Sequence, residues 1–182
     1  MKFTSDTHFG SERVLVLSRR PYKSVEEMDK ELIKNWNESV SNDEDVYHLG
    51  DFGNYDIVSK LNGKIHLILG NYEIKDIENG VITKKELLEK GFASVYDYLY
   101  IDNFVDELPD IDKIKLVHEP SKCDIYNDKI LNLFGHIHGR QLCKKFGLDV
   151  GVDGHHMRVV DSKDISFFLT AIKKVYDDEV FL

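Results

Sequence analysis

The sequence predicts an α/β protein folded as a layered sandwich, with two β-sheets inside and helices outside. Three observations lead there. Short β-prone runs alternate with helix-like segments through the first half, the second half is richer in strands, and an amphipathic stripe towards each end supplies a helix for an outer layer. No repeat, low-complexity tract or linker divides the 182 residues, so they read as one domain, 1–182, large enough to bury a substantial core.

Met1 to Ser5 is a β-prone run leading into Asp6. From Ser24 to about Val40, Met28, Leu32, Trp36 and Val40 recur at every fourth position with Ile33 beside them, the apolar face of a helix. Ser24 and Glu27 open it as a capping box, in which side chains satisfy unpaired first-turn amides. Val46 to Leu49 reads as a buried strand delivering Gly50-Asp51. A short helix over Tyr55 to Leu61 stops at the Asn62-Gly63 turn, and Lys64 to Leu69 is the next strand. This order implies a parallel crossover, and ligands of such sheets gather beyond the carboxyl ends of the strands. Thr83 with Glu86 caps a further helix that Gly91 closes.

Ser94 to Ile101 reads as one strand, with Tyr96, Tyr98 and Tyr100 on one face and Val95, Leu99 and Ile101 on the other. Lys113 to Val117, Ile130 to Phe134 and Leu148 to Val152 follow as strands. Asp161 or Ser162 then caps a last helix whose stripe is Ile165, Phe168, Leu169, Ile172 and Tyr176.

Composition narrows the function. A content of 42% hydrophobic and 31% charged residues is that of an ordinary globular protein. The net charge of -9, from 24 Lys+Arg against 33 Asp+Glu, disfavours a nonspecific grip on long nucleic acid, which rests on neutralising many phosphates. Cys123 and Cys143 fit neither a zinc-knuckle nor a CxxC spacing and read as reduced thiols. The chain opens on a β-prone run in place of a charged and apolar leader, and no apolar run approaches transmembrane length. The expectation is a cytoplasmic, unanchored protein whose oligomeric state the sequence leaves open.

Seven residues stand just past the expected strands: Asp6, His8, Asp51, Asn71, His118, His136 and His138. Oxygen and imidazole donors delivered from several strand ends are how an α/β protein assembles a two-metal site. Asp6 and His8 are two apart, so an extended backbone would point both to one side. Asp51 has two oxygens with which to face two ions, and the amide oxygen of Asn71 leaves positive charge for an anionic substrate. His136 and His138 can reach separate ions if the turn twists between them. Gly50, Gly70 and Gly135 precede three of these positions and allow tight turns. His48 and His66 alternate within strands and read as structural, and a third metal site at His155-His156 is not expected.

The strings Asp6-Thr7-His8, Gly50-Asp51, Gly70-Asn71, Val117-His118 and Gly135-His136-Ile137-His138 resemble, in order and character, those of the calcineurin-like metallophosphoesterases. That family's pattern runs DxH, GD, GNH followed by Asp or Glu, a lone His, and GHxH. Singly, each string is ordinary turn chemistry or a satisfied histidine; their joint order carries the resemblance. It implies a four-layer α/β/β/α sandwich with two mixed sheets flanked by helices. It also implies two divalent ions, with manganese favoured over iron, zinc or nickel. Asp6, His8, Asp51 and His138 would hold one; Asp51, Asn71, His118 and His136 would hold the other. The implied activity is hydrolysis of a phosphodiester or phosphomonoester by a metal-bridging hydroxide. Asp51, Tyr72 and His118 are then expected to carry the reaction on a small phosphorylated substrate, a nucleotide among the candidates.

One position departs from the pattern: Tyr72 stands where the family has the His of GNH. A phenol can donate a hydrogen bond but is a weaker acid than imidazolium. The alternative reading is therefore a metal-binding scaffold or interaction protein of the same fold with weak turnover. Phe3 to Gly10, Arg20-Pro21-Tyr22, Trp36-Asn37, Val46 to Phe52 and Val150-Gly151-Val152-Asp153 are similar to a compact bacterial and phage subgroup, whose frequent His after Gly10 is here Ser11. Arg13, Arg20 and Arg158 are candidates for gripping a substrate phosphate, and His156 for contacting it.

Overall fold

The computed structural model describes residues 1–177 and 179. Its elements run β1 (Lys2–Thr4), α1 (Glu12–Leu17), α2 (Val25–Ser39), β2 (Asp45–His48), β3 (Lys64–Ile68), α3 (Asn71–Glu78), α4 (Lys84–Lys90), β4 (Ser94–Tyr96), β5 (Leu99–Asp102), β6 (Lys113–Leu116), β7 (Ile130–Phe134), β8 (Cys143–Lys144), β9 (Gly147–Asp149), β10 (Val160–Asp161) and α5 (Ser162–Val175). Two mixed five-stranded sheets result, ordered β10-β1-β2-β3-β4 and β5-β6-β7-β9-β8. In the first, β1 to β4 are parallel and β10 is antiparallel. In the second, β6, β7 and β9 are parallel between the antiparallel edges β5 and β8.

Side-chain alternation decides which layer each residue joins. Met28, Leu32 and Trp36 of α2 pack with Val46, Ile65 and Leu67 on one side of the first sheet. Phe3, Leu49 and Ile68 join a second core with Ile114, Leu116, Leu131 and Leu133 of the second sheet and Ile165, Leu169 and Ile172 of α5. The fold is thus the α/β sandwich that the patterning predicts. Among the described residues no helix is long and apolar enough to cross a membrane.

Register places the functional ends level. Thr4 pairs with His48 and His48 with Leu67, while Leu116 pairs with Leu133. Asp6, Asp51, His118 and His136 therefore lie two or three residues beyond shared rungs of their sheets.

Several local expectations need correcting. Ser94 to Ile101 is two strands in different sheets, with Asp97-Tyr98 carrying the chain across; the alternation of apolar residues already breaks at Asp97. Ser24 caps α2 by accepting the Glu27 N–H, but the Glu27 carboxylate takes the N–H of Lys23 at 2.7 Å. The segment Tyr55–Lys60 is a 3-10 helix. β9 ends at Asp149, whose carboxylate turns the chain by accepting the N–H groups of Gly151 and Gly139. The helices α1 and α3, of six and eight residues, are too short for a repeating stripe to announce them. By contrast, the Thr83–Glu86 box, the left-handed Gly91 stop and the Asp161 cap of α5 form as expected.

Candidate metal centre

The loops after β1, β2, β3, β6 and β7 converge, and the backbone is bent sharply to bring their side chains together. Asp6, His8, Asp51, His136 and His138 all have left-handed φ, between 48° and 73°. This region is uncommon for residues with a Cβ, and such conformations collect at functional sites. The expectation of an extended backbone at Asp6 and His8 is therefore wrong. Their N–H groups are instead turned to donate to the carbonyls of Gly50 and Asp51, each at 3.0 Å, stapling the first loop to the second. Close approach also explains two glycines. A Cβ on Gly50, at φ 91°, would lie 2.5 Å from the Gly70 backbone, and one on Gly135 would lie 2.0 Å from Ser5 Oγ.

All seven predicted donors meet in two adjoining groups. Asp6, His8 and His138 offer ligand atoms within 4.8 Å of one another, and so do Asp51, His118 and His136. Asp51 faces both: its Oδ2 is 3.6 Å from His8 Nε2 and 3.4 Å from His118 Nε2. Asn71, the first residue of α3, sets its Oδ1 3.0 Å from both His118 Nε2 and His136 Nδ1. His136 and His138 thus reach different groups, because the turn twists between them.

The donor set fits divalent cations. Asp6 Oδ1 and His8 Nε2 are buried and have no hydrogen-bond partner, a state that native structures rarely tolerate without a further ligand. Burial raises the Asp6 carboxyl to about 6 and lowers the His8 imidazole to about 4. Burial also opposes charge on His118, but hydrogen bonding to Asp51 and the charges of Asp6 and Asp51 outweigh it and lift the imidazole to about 9. Carboxylates and imidazoles this closely packed make a strong field for positive charge.

Other side chains hold the donors in place. Glu73 is fully buried, and its carboxylate accepts the N–H groups of Asp51, Phe52 and Gly70, each at 2.8 Å. The Tyr72 N–H at the start of α3 donates to Asp51 Oδ1 at 3.1 Å, leaving Oδ2 for the histidines. His118 Nδ1 lies 2.6 Å from the Leu49 carbonyl, so it carries the proton and Nε2 faces the site. Arg20 donates to Asp153, and Asp153 Oδ2 lies 2.7 Å from His138 Nδ1. Burial works to raise the Asp153 carboxyl, yet those hydrogen bonds and charges hold it at about 2.

The donors open into a cleft of about 340 Å³ lined by His8, Ser11, Arg13, Asp51, Asn71, Tyr72, His136, His138 and Arg140, with Val14, Leu17 and Ile137 as its apolar wall. Tyr72 stands at its mouth, its ring edge-on to His8 and its hydroxyl accepting from Arg13 Nη1 at 3.0 Å. A larger cleft of about 770 Å³ beside α5 contains none of the donors.

Of the expected substrate contacts, only Arg13 faces the site. Arg20 is buried with all its donors engaged by the protein, and His156 and Arg158 line a separate cleft with Leu142 and Phe168. The carboxylate that neutralises Arg20 comes from Asp153, 133 residues away, which the sequence around Arg20 does not announce. In the sequence Asp153 and Glu73 stand only within strings that match the family pattern, with no role assigned to them, and nothing singles out Arg140. Signals existed for both carboxylates: Asp153 ends an apolar run as Asp6 and Asp51 do, and Glu73 sits at capping-box spacing from Gly70. His48 and His66 are structural as expected, bonded to Thr7 and to Ser94 and Asp45 respectively.

No family model matches the chain. Over 81 residues it is 42% identical to an uncharacterized protein of Methanocaldococcus jannaschii, a match that covers 38% of this chain and 44% of that protein. The crystal structure of a protein of unknown function from Aquifex aeolicus is similar, with a TM-score of 0.67 and 25% identity over 92% of this chain and 97% of that one. The structural similarity extends the fold to the Aquifex aeolicus protein, and neither similarity carries an activity with it.

Proposed function

We propose that this protein is a metal-dependent phosphoric ester hydrolase whose two divalent ions are held by Asp6, His8, Asp51 and His138 and by Asp51, Asn71, His118 and His136. The observation that carries the reading is the position of Asp51, with one oxygen between two donor groups that are each buried except at one histidine, and partnerless Asp6 and His8 atoms beside it. When bound, such a pair supplies a nucleophilic water near neutral pH and draws charge from phosphoryl oxygens.

The remaining chemistry belongs to the chain. Arg13 and Arg140 bring two cationic forks to the cleft of a protein whose net charge is -9, so an anionic substrate meets a local positive field. Tyr72 accepts from Arg13, which leaves its own O–H free to donate to a phosphoryl or leaving-group oxygen. Asn71 adds a donor atom without charge, so the cage does not repel an anion as a carboxylate would. Substrates with good leaving groups suit a site that offers a phenol in place of an imidazolium.

The direct test is to strip the protein with a chelator, load it with manganese and follow hydrolysis of an aryl phosphodiester and an aryl phosphomonoester. Turnover that vanishes on chelation and in Asp51→Asn supports the reading. A protein that binds two ions yet turns over neither ester with manganese, iron, zinc or nickel is the scaffold of the same fold.

A further inference from the structure

Two stretches that the metal cage does not use, Arg20-Pro21-Tyr22 and Val150-Gly151-Val152-Asp153, meet behind it. The guanidinium of Arg20 has its five N–H donors directed at five acceptors. Nε donates to Asp153 Oδ1 at 2.9 Å, and Nη2 to Asp153 Oδ2 at 2.9 Å and to the Asp6 carbonyl at 2.5 Å. Nη1 donates to the Thr7 carbonyl at 2.8 Å and reaches Met28 Sδ at 3.5 Å. The Arg20 side chain is 0% exposed and that of Asp153 is 6% exposed. Burying such a pair is a poor way to gain stability, since its desolvation offsets much of the attraction.

The geometry gives the pair a different use. Asp153 Oδ2 is 2.7 Å from His138 Nδ1, closer than Ser18 Oγ at 3.0 Å. An ionised carboxylate only accepts, so Nδ1 must carry the proton and Nε2 is left bare. That Nε2 lies 4.0 Å from Asp6 Oδ1, and His8 Nε2 is at the same distance from it. Arg20 meanwhile grips the carbonyls of Asp6 and Thr7, so a single side chain sets the loop of one ligand and the carboxylate behind another.

We propose that Asp153, locked by Arg20, is the positioning residue that fixes the tautomer and orientation of His138 and presents its Nε2 to the same ion as Asp6 and His8. The inference rests on the two-metal reading of the site. It makes the two ion positions unequal in their dependence on this pair, because His118, at the other position, is set by the Leu49 carbonyl instead. Neither substitution below is conservative in this setting. Asparagine would turn an N–H₂ towards the donors of Arg20 or His138, and lysine has one nitrogen where five donors now diverge.

Calorimetric titration of metal-free protein with manganese, for wild type, Asp153→Asn and Arg20→Lys, tests the proposal. The wild type is expected to show two binding steps, and Asp153→Asn to weaken one by about 10–100-fold while leaving the other within about twofold. Arg20→Lys is expected to weaken the same step. A long-range proton–nitrogen NMR spectrum of the zinc-loaded wild type is expected to show His138 protonated at Nδ1, a readout that does not depend on any variant folding. Unchanged binding of both ions in a folded Asp153→Asn, or a His138 proton on Nε2, overturns the positioning role and leaves the metal reading intact. A wild type that takes up neither manganese nor zinc overturns both.

Discussion

Arg13 and Tyr72, 59 residues apart, are joined by a 3.0 Å hydrogen bond across the mouth of the candidate metal cleft. The guanidinium donates and the phenol accepts, so the one proton that Tyr72 can give points elsewhere. Replacing Tyr72 with histidine puts a stronger acid at that position, and turnover of an aryl phosphodiester should rise about tenfold or more. Tyr72→Phe keeps the ring and should lower the rate, and Arg13→Met should raise KM more than it lowers kcat. Steady-state kinetics on the manganese-loaded protein decides; equal rates for Tyr72→Phe and wild type would remove the phenol from the chemistry.

Metal binding should register as stability. Manganese at about 100 times its Kd is worth about 2.7 kcal/mol to a folded state that binds it alone. Thermal unfolding should therefore shift upward with manganese and return with a chelator. Because Asp51 faces both donor groups, Asp51→Asn should lose most of the shift, whereas His136→Ala, at the exposed edge of one group, should lose part of it.

His48 should make the protein sensitive to mild acid. Its ring is buried, stacks on Trp36 and lies 2.9 Å from Thr7 Oγ1, whose hydroxyl donates to the Phe52 carbonyl. Nε2 therefore donates to Thr7, and Nδ1 is left buried without a partner. Burial lowers this imidazole from 6.5 to about 3. The unfolded chain takes up a proton below pH 6.5 that the folded ring refuses, so this contribution is whole above that pH. It falls by up to about 1.4 kcal/mol per pH unit as the pH drops towards 3. Denaturant unfolding between pH 7 and 4 should show a shallower loss in His48→Gln; identical slopes would place the proton uptake on another group.

Backbone crowding should make Gly50 intolerant. At φ 91° an alanine there is strained, and its Cβ would press on the Gly70 backbone at 2.5 Å, where no flexible side chain can give way. Gly50→Ala should cost about 2 kcal/mol or more in urea unfolding and weaken manganese binding with it. Gly80→Ala is the control for left-handed φ alone, since its Cβ meets nothing within 4 Å.

The parts of this fold that could be read directly are those where chemistry and spacing are local. The stripe Met28, Leu32, Trp36 buries as its period requires, Thr83 and Glu86 form their box, and all seven donors lie past strands that patterning located. What misled was any inference needing a distant partner. Arg20, a candidate for gripping a substrate phosphate, spends its whole guanidinium on Asp153, two carbonyls and a thioether. Tyr96 and Tyr100 looked like one strand face and belong to different sheets. Arg158 and His156 line another cleft.

The sequence by itself determined the α/β class and the identity of the seven candidate donors, because hydrophobic period and ligand chemistry are written in neighbouring residues. The family resemblance already implied how those donors divide, and only the tertiary structure decided the directions that divide them. Left-handed turns at Asp6, His8, Asp51, His136 and His138 aim side chains that an extended chain would have pointed elsewhere. Sheet register then brings loops more than a hundred residues apart to one edge, where Asp51 lies between the two groups and Asp153 stands behind His138. Long-range packing fixes those directions, and no local string of residues encodes them.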